Sequence, residues 1–247
     1  SGDWTGNLMA TSYTSGTYAS GEYWGFITNN GTLNIRGTGT IRNKKIHITG
    51  QKENRDNAVQ RLATIVNNGT LSVVDTVTIE AYLTSVHNSD DSWSTASYSD
   101  NYLYNFGIYS NGGTVNSAAK IRVGGLAGTS QTGTSGRAYN LCYGIYGNNS
   151  AAVNVTGGTI YVDSFSGGFM ETGSGEKAHM YAASVGVFGN SAKITGNTTI
   201  NVLSKNWEYQ DQNSNTWKSG IDHLLSVGVM YVGSNYPVIG PSVDVVA

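Results

Sequence analysis

Apolar residues alternate with polar ones in short runs along most of the chain, and the runs recur at intervals of roughly forty residues. Each run leads to a small residue that is followed by an aliphatic or aromatic one. The six aligned anchor positions are Gly25, Thr64, Gly107, Gly144, Gly186 and Gly228. A period of this length with variable spacers predicts a solenoid rather than two separate domains.

The run before each anchor predicts a β-strand, because its large side chains fall at every second position. In the third copy these residues are Tyr102, Tyr104, Phe106 and Ile108. Since the equivalent positions of the other copies are mostly apolar, we expect them to face the interior and to stack in ladders. By the same alternation, the anchor glycines and Cys142 are expected on the outer face.

Two shorter strands follow each anchor, separated by corners rich in Asn and Gly, which tolerate left-handed backbone. Residues such as Leu71 and Val153 mark the second strand, and Ile79 and Ile160 mark the third. Three short strands per unit, each stacked on its own copies, predict an all-β fold, a parallel β-helix (solenoid) of about six repeat units. We expect one coil per repeat, with spacers such as 125–137 protruding as loops on one side. Two coils per repeat, with further strands in the spacers, are the alternative.

The two ends differ from the repeats. Residues 1–20 lack the repeat and are expected to form an N-terminal cap or irregular lead-in, while 21–247 form the β-helix. The sequence ends inside a third strand, at Val245 to Ala247, with no polar segment to cover the last coil. We therefore expect either a segment of a longer protein or a partner that covers the exposed end.

Composition argues against several classes of function. The net charge of −2 gives no electrostatic case for binding nucleic acid. No apolar run reaches the roughly 18 residues of a transmembrane helix, so we expect no membrane insertion. The single cysteine cannot form an intramolecular disulfide, and the four histidines lack the spacing of metal ligands. No metal and no cofactor are expected.

Three of the copies resemble the repeats of autotransporter (type V secreted) passenger domains, in particular those of adhesins. They read GFITNNGTLNI, YGIYGNNSAAVNVTGGTIYV and VGVFGNSAKITGNTTINV. The resemblance extends over about residues 20–247. It implies a right-handed β-helix, export through the outer membrane, an extracellular location on the bacterial cell surface, and a role in adhesion and virulence. The signal peptide and the translocator barrel are missing, which implies an excised passenger segment.

Two sets of residues are candidates for binding a partner, because rigid aromatic groups with polar edges suit recognition of a protein or glycan. The first set follows the anchors by two positions, is predicted to face outward, and comprises Ile27, Val66, Tyr109, Tyr146, Phe188 and Met230. The second set lies in the spacers and comprises Trp93, Tyr98, Phe165, Phe169, Trp207, Tyr209 and Trp217. Alternatively, the strand bends at the glycine and turns the side chains of the first set inward. For the second set, the alternative is that the loops pack these rings against the β-helix.

Acid–base catalysis on a glycoside would need two carboxylates about 5–10 Å apart. The obvious pairs are Asp90 with Asp91, Glu171 with Glu176, and Glu208 with Asp211. The strands are nearly uncharged, so we expect no enzyme. The leading hypothesis is a bacterial cell-surface adhesin segment that binds a host or bacterial surface protein or glycan, with self-association as a further possibility. A carbohydrate-active β-helix enzyme (polysaccharide lyase or hydrolase) and a passive structural stalk are the alternatives.

Overall fold

The computed structural model describes residues 4–15, 23–50, 58–88, 100–132, 137–148, 150–171, 179–206, 209–211, 216–218 and 221–247. Within these residues the structure contains strands and no helix. Three parallel sheets make up the body, together with one short antiparallel pair. The predicted all-β parallel solenoid is therefore confirmed. Its handedness, the number of repeat units and the side on which loops protrude stay predictions.

The sheets are named A, B and C. Sheet A has seven strands: β1 (Trp4–Ser15), β4 (Gly37–Gly50), β7 (Val77–Asn88), β10 (Lys120–Thr132), β13 (Gly158–Glu171), β16 (Thr198–Asn206) and β21 (Val243–Val246). Sheet B has six: β2 (Tyr23–Asn29), β5 (Ala58–Asn67), β8 (Asp100–Ser110), β11 (Arg137–Gly147), β14 (His179–Phe188) and β19 (Ile221–Met230). Sheet C has six: β3 (Thr32–Ile35), β6 (Thr70–Val73), β9 (Thr114–Ser117), β12 (Ala152–Val155), β15 (Lys193–Ile194) and β20 (Val238–Ile239). The antiparallel pair is β17 (Tyr209–Asp211) with β18 (Thr216–Lys218).

The chain runs from sheet B through sheet C to sheet A and then returns to sheet B, as in β5, β6, β7 and β8. We call each such round through sheets B, C and A one passage of the chain. Equivalent residues of successive passages pair in register. In sheet A, for example, the consecutive Cα partners are Ile79, Ile121, Ile160 and Ile200. Residues 4–15, within the segment expected to be a cap or lead-in, form β1 and pair in parallel with β4.

The described residues form two apolar clusters in the interior. The larger is built from residues of all three sheets, including the row Ile65, Ile108 and Ile145 in sheet B. The smaller lies between sheets A and B and consists of Leu62, Leu83, Leu103 and Ala127. Sheets A and B thus also pack directly on each other, because their strands are longer than those of sheet C.

Buried amide groups of sheet B hold it against sheet A. The Nδ2 group of Asn105 donates a hydrogen bond to the carbonyl oxygen of Ala81 at 3.1 Å. The Nδ2 group of Asn140 donates to the carbonyl oxygens of Gly125 and Phe165, at 2.8 Å each. These bonds satisfy polar groups inside the fold, where an unpaired amide or carbonyl would be unfavourable.

The orientation predicted for the residues before the anchor is wrong. Leu103, Asn105 and Cys142 are completely buried and face the interior, whereas Tyr102 and Tyr104 are only half-buried. By alternation the tyrosines therefore occupy the outer face of sheet B. The inward row carries small, amide and apolar side chains that fit between two closely packed sheets.

The error arises at the anchor glycine, where the alternation changes phase. A Cβ atom on Gly107 would lie 2.6 Å from Cγ2 of Ile121 and 2.7 Å from the carbonyl oxygen of Gly144. The glycine row therefore faces the interior and not the outer face. The next residue, Ile108, is also fully buried, so two consecutive residues face inward. The register is unbroken, because Ile108 still pairs with Ile145. The following residue, Tyr109, returns to the outer face.

Strand pairing also corrects the alignment of the first copy. Ile27 pairs with Ile65, the residue that directly follows the anchor Thr64. The anchor of the first copy is therefore Phe26 rather than Gly25. Ile27 packs against the larger apolar cluster and does not belong to the outward set. The prediction was wrong because the alignment on Gly25 shifted the first copy by one residue relative to the others.

Parts of the spacers are strand rather than loop. Strand β10 continues to Thr132 and pairs with β13, which continues to Glu171. Their register places Leu126 beside Phe165. The apolar and β-branched residues of these segments extend sheet A beyond sheet C, and this extension encloses the smaller apolar cluster.

Replacing Gly107 by alanine tests the inward anchor. Gly107→Ala is expected to destabilise the fold by about 2–3 kcal/mol, because the new methyl group must displace Ile121 or the backbone of Gly144. Gly31 is the matched control, since a Cβ there meets no heavy atom within 4 Å. Gly31→Ala should change the unfolding free energy by less than about 0.5 kcal/mol. Urea titration followed by circular dichroism measures both, and equal stability of the two variants would contradict the inward anchor.

Candidate functional site

The outer face of sheet B carries columns of aromatic side chains, because in-register pairing repeats each position from strand to strand. We call this surface the aromatic face. It consists of Tyr102, Phe106, Tyr109, Tyr139, Tyr143, Tyr146, Tyr181, Phe188 and His223. All nine residues lie on β8, β11, β14 or β19.

One column runs through Tyr102, Tyr139, Tyr181 and His223. Successive ring centroids are 4.2, 4.3 and 4.5 Å apart, and the rings lie within 12° of parallel. These distances are slightly shorter than the strand spacing of about 4.8 Å, so the rings lean together across the sheet. Stacking covers the ring faces within the column and leaves ring edges on its outer side.

A second column runs through Tyr109, Tyr146 and Phe188. The centroid distances are 5.4 and 4.6 Å, with interplanar angles of 11° and 4°. Phe106 contacts the column edge-on, at 5.3 Å from Tyr109 and 5.5 Å from Tyr146, and is only 3% exposed. The second column therefore rests on a buried ring, which restricts the motion of its side chains.

The structure brings together three of the residues predicted to bind a partner, namely Tyr109, Tyr146 and Phe188. Val66 pairs with Tyr109, and Met230 pairs with Phe188, so they extend the same column. The other predicted residues are distributed as follows: Phe165 and Phe169 in β13, Tyr209 in β17, Trp217 in β18, and Trp93, Tyr98 and Trp207 outside the described residues. The carboxylates considered for catalysis lie in β13 (Glu171), in β17 (Asp211), or outside the described residues (Asp90, Asp91, Glu176 and Glu208).

The column that begins at Tyr102 is the part of the surface that sequence reasoning missed, because those tyrosines were assigned to the interior. A signal for the outer face is present in the sequence. Three stacked tyrosine hydroxyl groups inside the fold would each need a buried hydrogen-bond partner. The alternate positions carry Asn140, Cys142 and Ser184, whose small or amide side chains suit a narrow interior that contains backbone carbonyl groups.

Charged side chains concentrate on sheet A. Glu80 lies 2.5 Å from a guanidinium nitrogen of Arg42 and 3.8 Å from one of Arg122. On sheet B, the Arg61 guanidinium lies 5.4 Å from the Tyr104 ring centroid, within the range of a cation–π contact. In the part of the chain that is described, no group of three or more His, Cys, Asp or Glu side chains could hold a metal ion. A search of the same residues for a helix long and apolar enough to cross a membrane finds none.

Two titratable groups beside the aromatic face are kept in their neutral forms. Burial, together with the neighbouring Tyr146, raises the pKa of Tyr143 to about 12. Burial also raises the pKa of the Cys142 thiol, whose sulfur lies 3.3 Å from Oδ1 of Asn140 and donates to it. A protonated, fully buried thiol is a poor nucleophile.

Comparison with models of known protein families, with curated proteins and with solved structures finds no match to this chain. The resemblance to autotransporter passenger domains therefore stays a prediction from the repeats. Evidence about function comes from the surfaces of the chain itself.

Tyr143 gives a pH-dependent test of the packing under the aromatic face. Its pKa of about 12 exceeds the ordinary value of 10.0, so the folded state holds the phenolic proton more tightly than the unfolded state. This contribution to stability is complete below a pH of about 10 and is lost as the pH rises towards about 12. In urea titrations across this range, the native protein should lose more stability than Tyr143→Phe. Equal losses would contradict the burial of the hydroxyl group.

Proposed function

We propose that this chain is an adhesin-type segment on the bacterial cell surface, and that its aromatic face binds a protein or glycan on a host or bacterial surface. The observation that carries the proposal is the pair of aromatic columns on the outer side of sheet B. The buried side of the same sheet already supplies the packing of the fold. The rings of both columns are half-buried on the outer side, apart from the exposed His223, so part of each ring can contact a partner.

The packing of the columns favours binding. Aromatic side chains supply a large contact area and have few rotatable bonds, and they are enriched at the centres of interfaces. The stacks hold these rings in place before a partner arrives, so binding orders few additional side chains. Tyrosine hydroxyl groups and the exposed His223 ring add hydrogen-bonding groups beside the apolar area.

The shape of the surface favours an extended partner. Its columns run across the strands, so the first one covers three strand spacings from Tyr102 to His223, or about 14 Å. A ridge of this length matches a glycan chain or an extended peptide segment better than a single small molecule. Self-association would place the aromatic face of one copy against a second copy, and the low charge of this face permits such contact.

The proposal predicts that Tyr146→Ala weakens binding of the labelled protein to host or bacterial cells by about tenfold or more, because Tyr146 contacts both neighbouring rings of its column. Tyr231, an exposed aromatic residue outside the aromatic face, gives the matched control Tyr231→Ala, which should bind like the native protein. Flow cytometry and a glycan array provide the measurements, with circular dichroism to verify folding. Native-like binding by folded Tyr146→Ala would exclude this face as the contact. An absence of binding by the native protein would favour a passive stalk.

A further inference from the structure

A depression on the outer face of sheet A has the form of a second binding site. Gly124 in β10 forms its floor, and the Cα partners of Gly124 on the two neighbouring strands are Tyr82 in β7 and Asp163 in β13. The cavity has a volume of about 300 Å³. Since a cavity of roughly 150 Å³ accommodates a benzene ring, the Gly124 cavity has room for one six-membered ring with its substituents.

Aromatic rings form the walls of the Gly124 cavity. Tyr161, Asp163 and Phe165 occupy every second position of β13 and project from one face, while Tyr82 faces them from β7. With β10 between them, the backbones of β7 and β13 lie about 9.6 Å apart. This separation leaves a slot between Tyr82 and the β13 side chains in which a flat ring can lie against an aromatic face.

Asp163 supplies a hydrogen-bond acceptor to this slot. One carboxylate oxygen, Oδ2, lies 3.7 Å from Nζ of Lys205. The other, Oδ1, is buried and has no hydrogen-bond donor among the described residues. Because Oδ1 is enclosed while the side chain as a whole is 30% exposed, Oδ2 is the acceptor that a ligand hydroxyl group can reach.

The surrounding charges argue against a cationic ligand. Lys205 lies beside Asp163, and Arg122 is the register partner of Tyr161. Arg122 and Arg42 both approach Glu80, so three cationic groups face two carboxylates around the cavity. The aromatic rings would attract a quaternary ammonium group, but the net positive charge around the cavity would repel it. A neutral ligand with an apolar face and hydroxyl groups fits both the rings and the accessible oxygen of Asp163.

We propose that the Gly124 cavity binds one pyranose residue of a neutral glycan. The C–H face of the sugar packs on an aromatic wall, and one of its hydroxyl groups donates to Oδ2 of Asp163. The glycine is required because any side chain at position 124 would occupy the floor. This site lies on a different sheet from the aromatic face and does not depend on it.

The test uses saturation-transfer NMR on the full chain with the methyl glycosides of glucose, galactose, mannose and N-acetylglucosamine. At least one of them should receive magnetisation from the protein. Gly124→Val should weaken its binding by about tenfold or more, because the added side chain fills the slot. A Cβ at position 124 lies 3.2 Å from Cε1 of Tyr82 and 3.5 Å from the carbonyl oxygen of Asp163, so the added side chain contacts the Tyr82 wall and the backbone of β13.

Two further variants keep the test decisive. Tyr161 is 40% exposed, so Tyr161→Ala removes one wall with little risk to the fold and should also weaken glycoside binding. Tyr231→Ala removes an exposed ring that belongs neither to the Gly124 cavity nor to the aromatic face, and it should leave glycoside binding unchanged. The proposal is overturned if no glycoside binds the native protein, if binding survives both Gly124→Val and Tyr161→Ala, or if tetramethylammonium displaces the glycoside.

Discussion

Parallel pairing in register is the constraint on which the rest of this structure depends. A strand of sheet A, B or C finds its backbone partners in the preceding and following passages of the chain, so every position becomes a column that runs along the solenoid. A residue type that suits one passage then suits the next, as the row of isoleucines at 79, 121, 160 and 200 illustrates. The same rule turns recurring tyrosines on the other side of a sheet into stacked aromatic columns.

The anchor glycine connects the interior to this surface. It allows two successive residues to face the interior, and the outer positions beyond it therefore shift by one residue. Without that shift, Tyr109 and Tyr146 would face the core and Ile108 would face solvent. The buried amides of Asn105 and Asn140 then fix sheet B against sheet A, so the aromatic face and the Gly124 cavity lie on two sheets of one packed body.

The repeat made the fold class predictable from the sequence, because its period, its alternation and its corner residues all depend on local chemistry. The outward position of Tyr109, Tyr146 and Phe188 was predicted correctly, but from two errors that cancel: the anchor glycines were placed on the outer face, and the alternation was continued through them. The side chains before the anchor were placed on the wrong face, since alternation was assumed to continue unchanged through the glycine. That assumption assigned Tyr102 and Tyr139 to the inner face and Cys142 to the outer face.

The Gly124 cavity was not predictable, because it depends on the register of three strands that are distant in sequence. Tyr82, Gly124 and Asp163 belong to three different passages and meet only when β7, β10 and β13 pair. Phe165 was assigned to a loop, whereas its strand continues to Glu171. A periodic pattern within one passage contains no information about which outer side chains meet across neighbouring passages.

The phase change at the anchor is tested most directly by the reactivity of single cysteines along β11. With Cys142→Ser as the background, the variants Tyr139→Cys, Asn140→Cys and Leu141→Cys are treated with a thiol reagent under native conditions. An outer face that carries Tyr139 predicts fast reaction at positions 139 and 141 and protection at position 140. Fast reaction at position 140 with protection at 139 and 141 would contradict the phase change, and the column from Tyr102 to His223 would then have no structural basis.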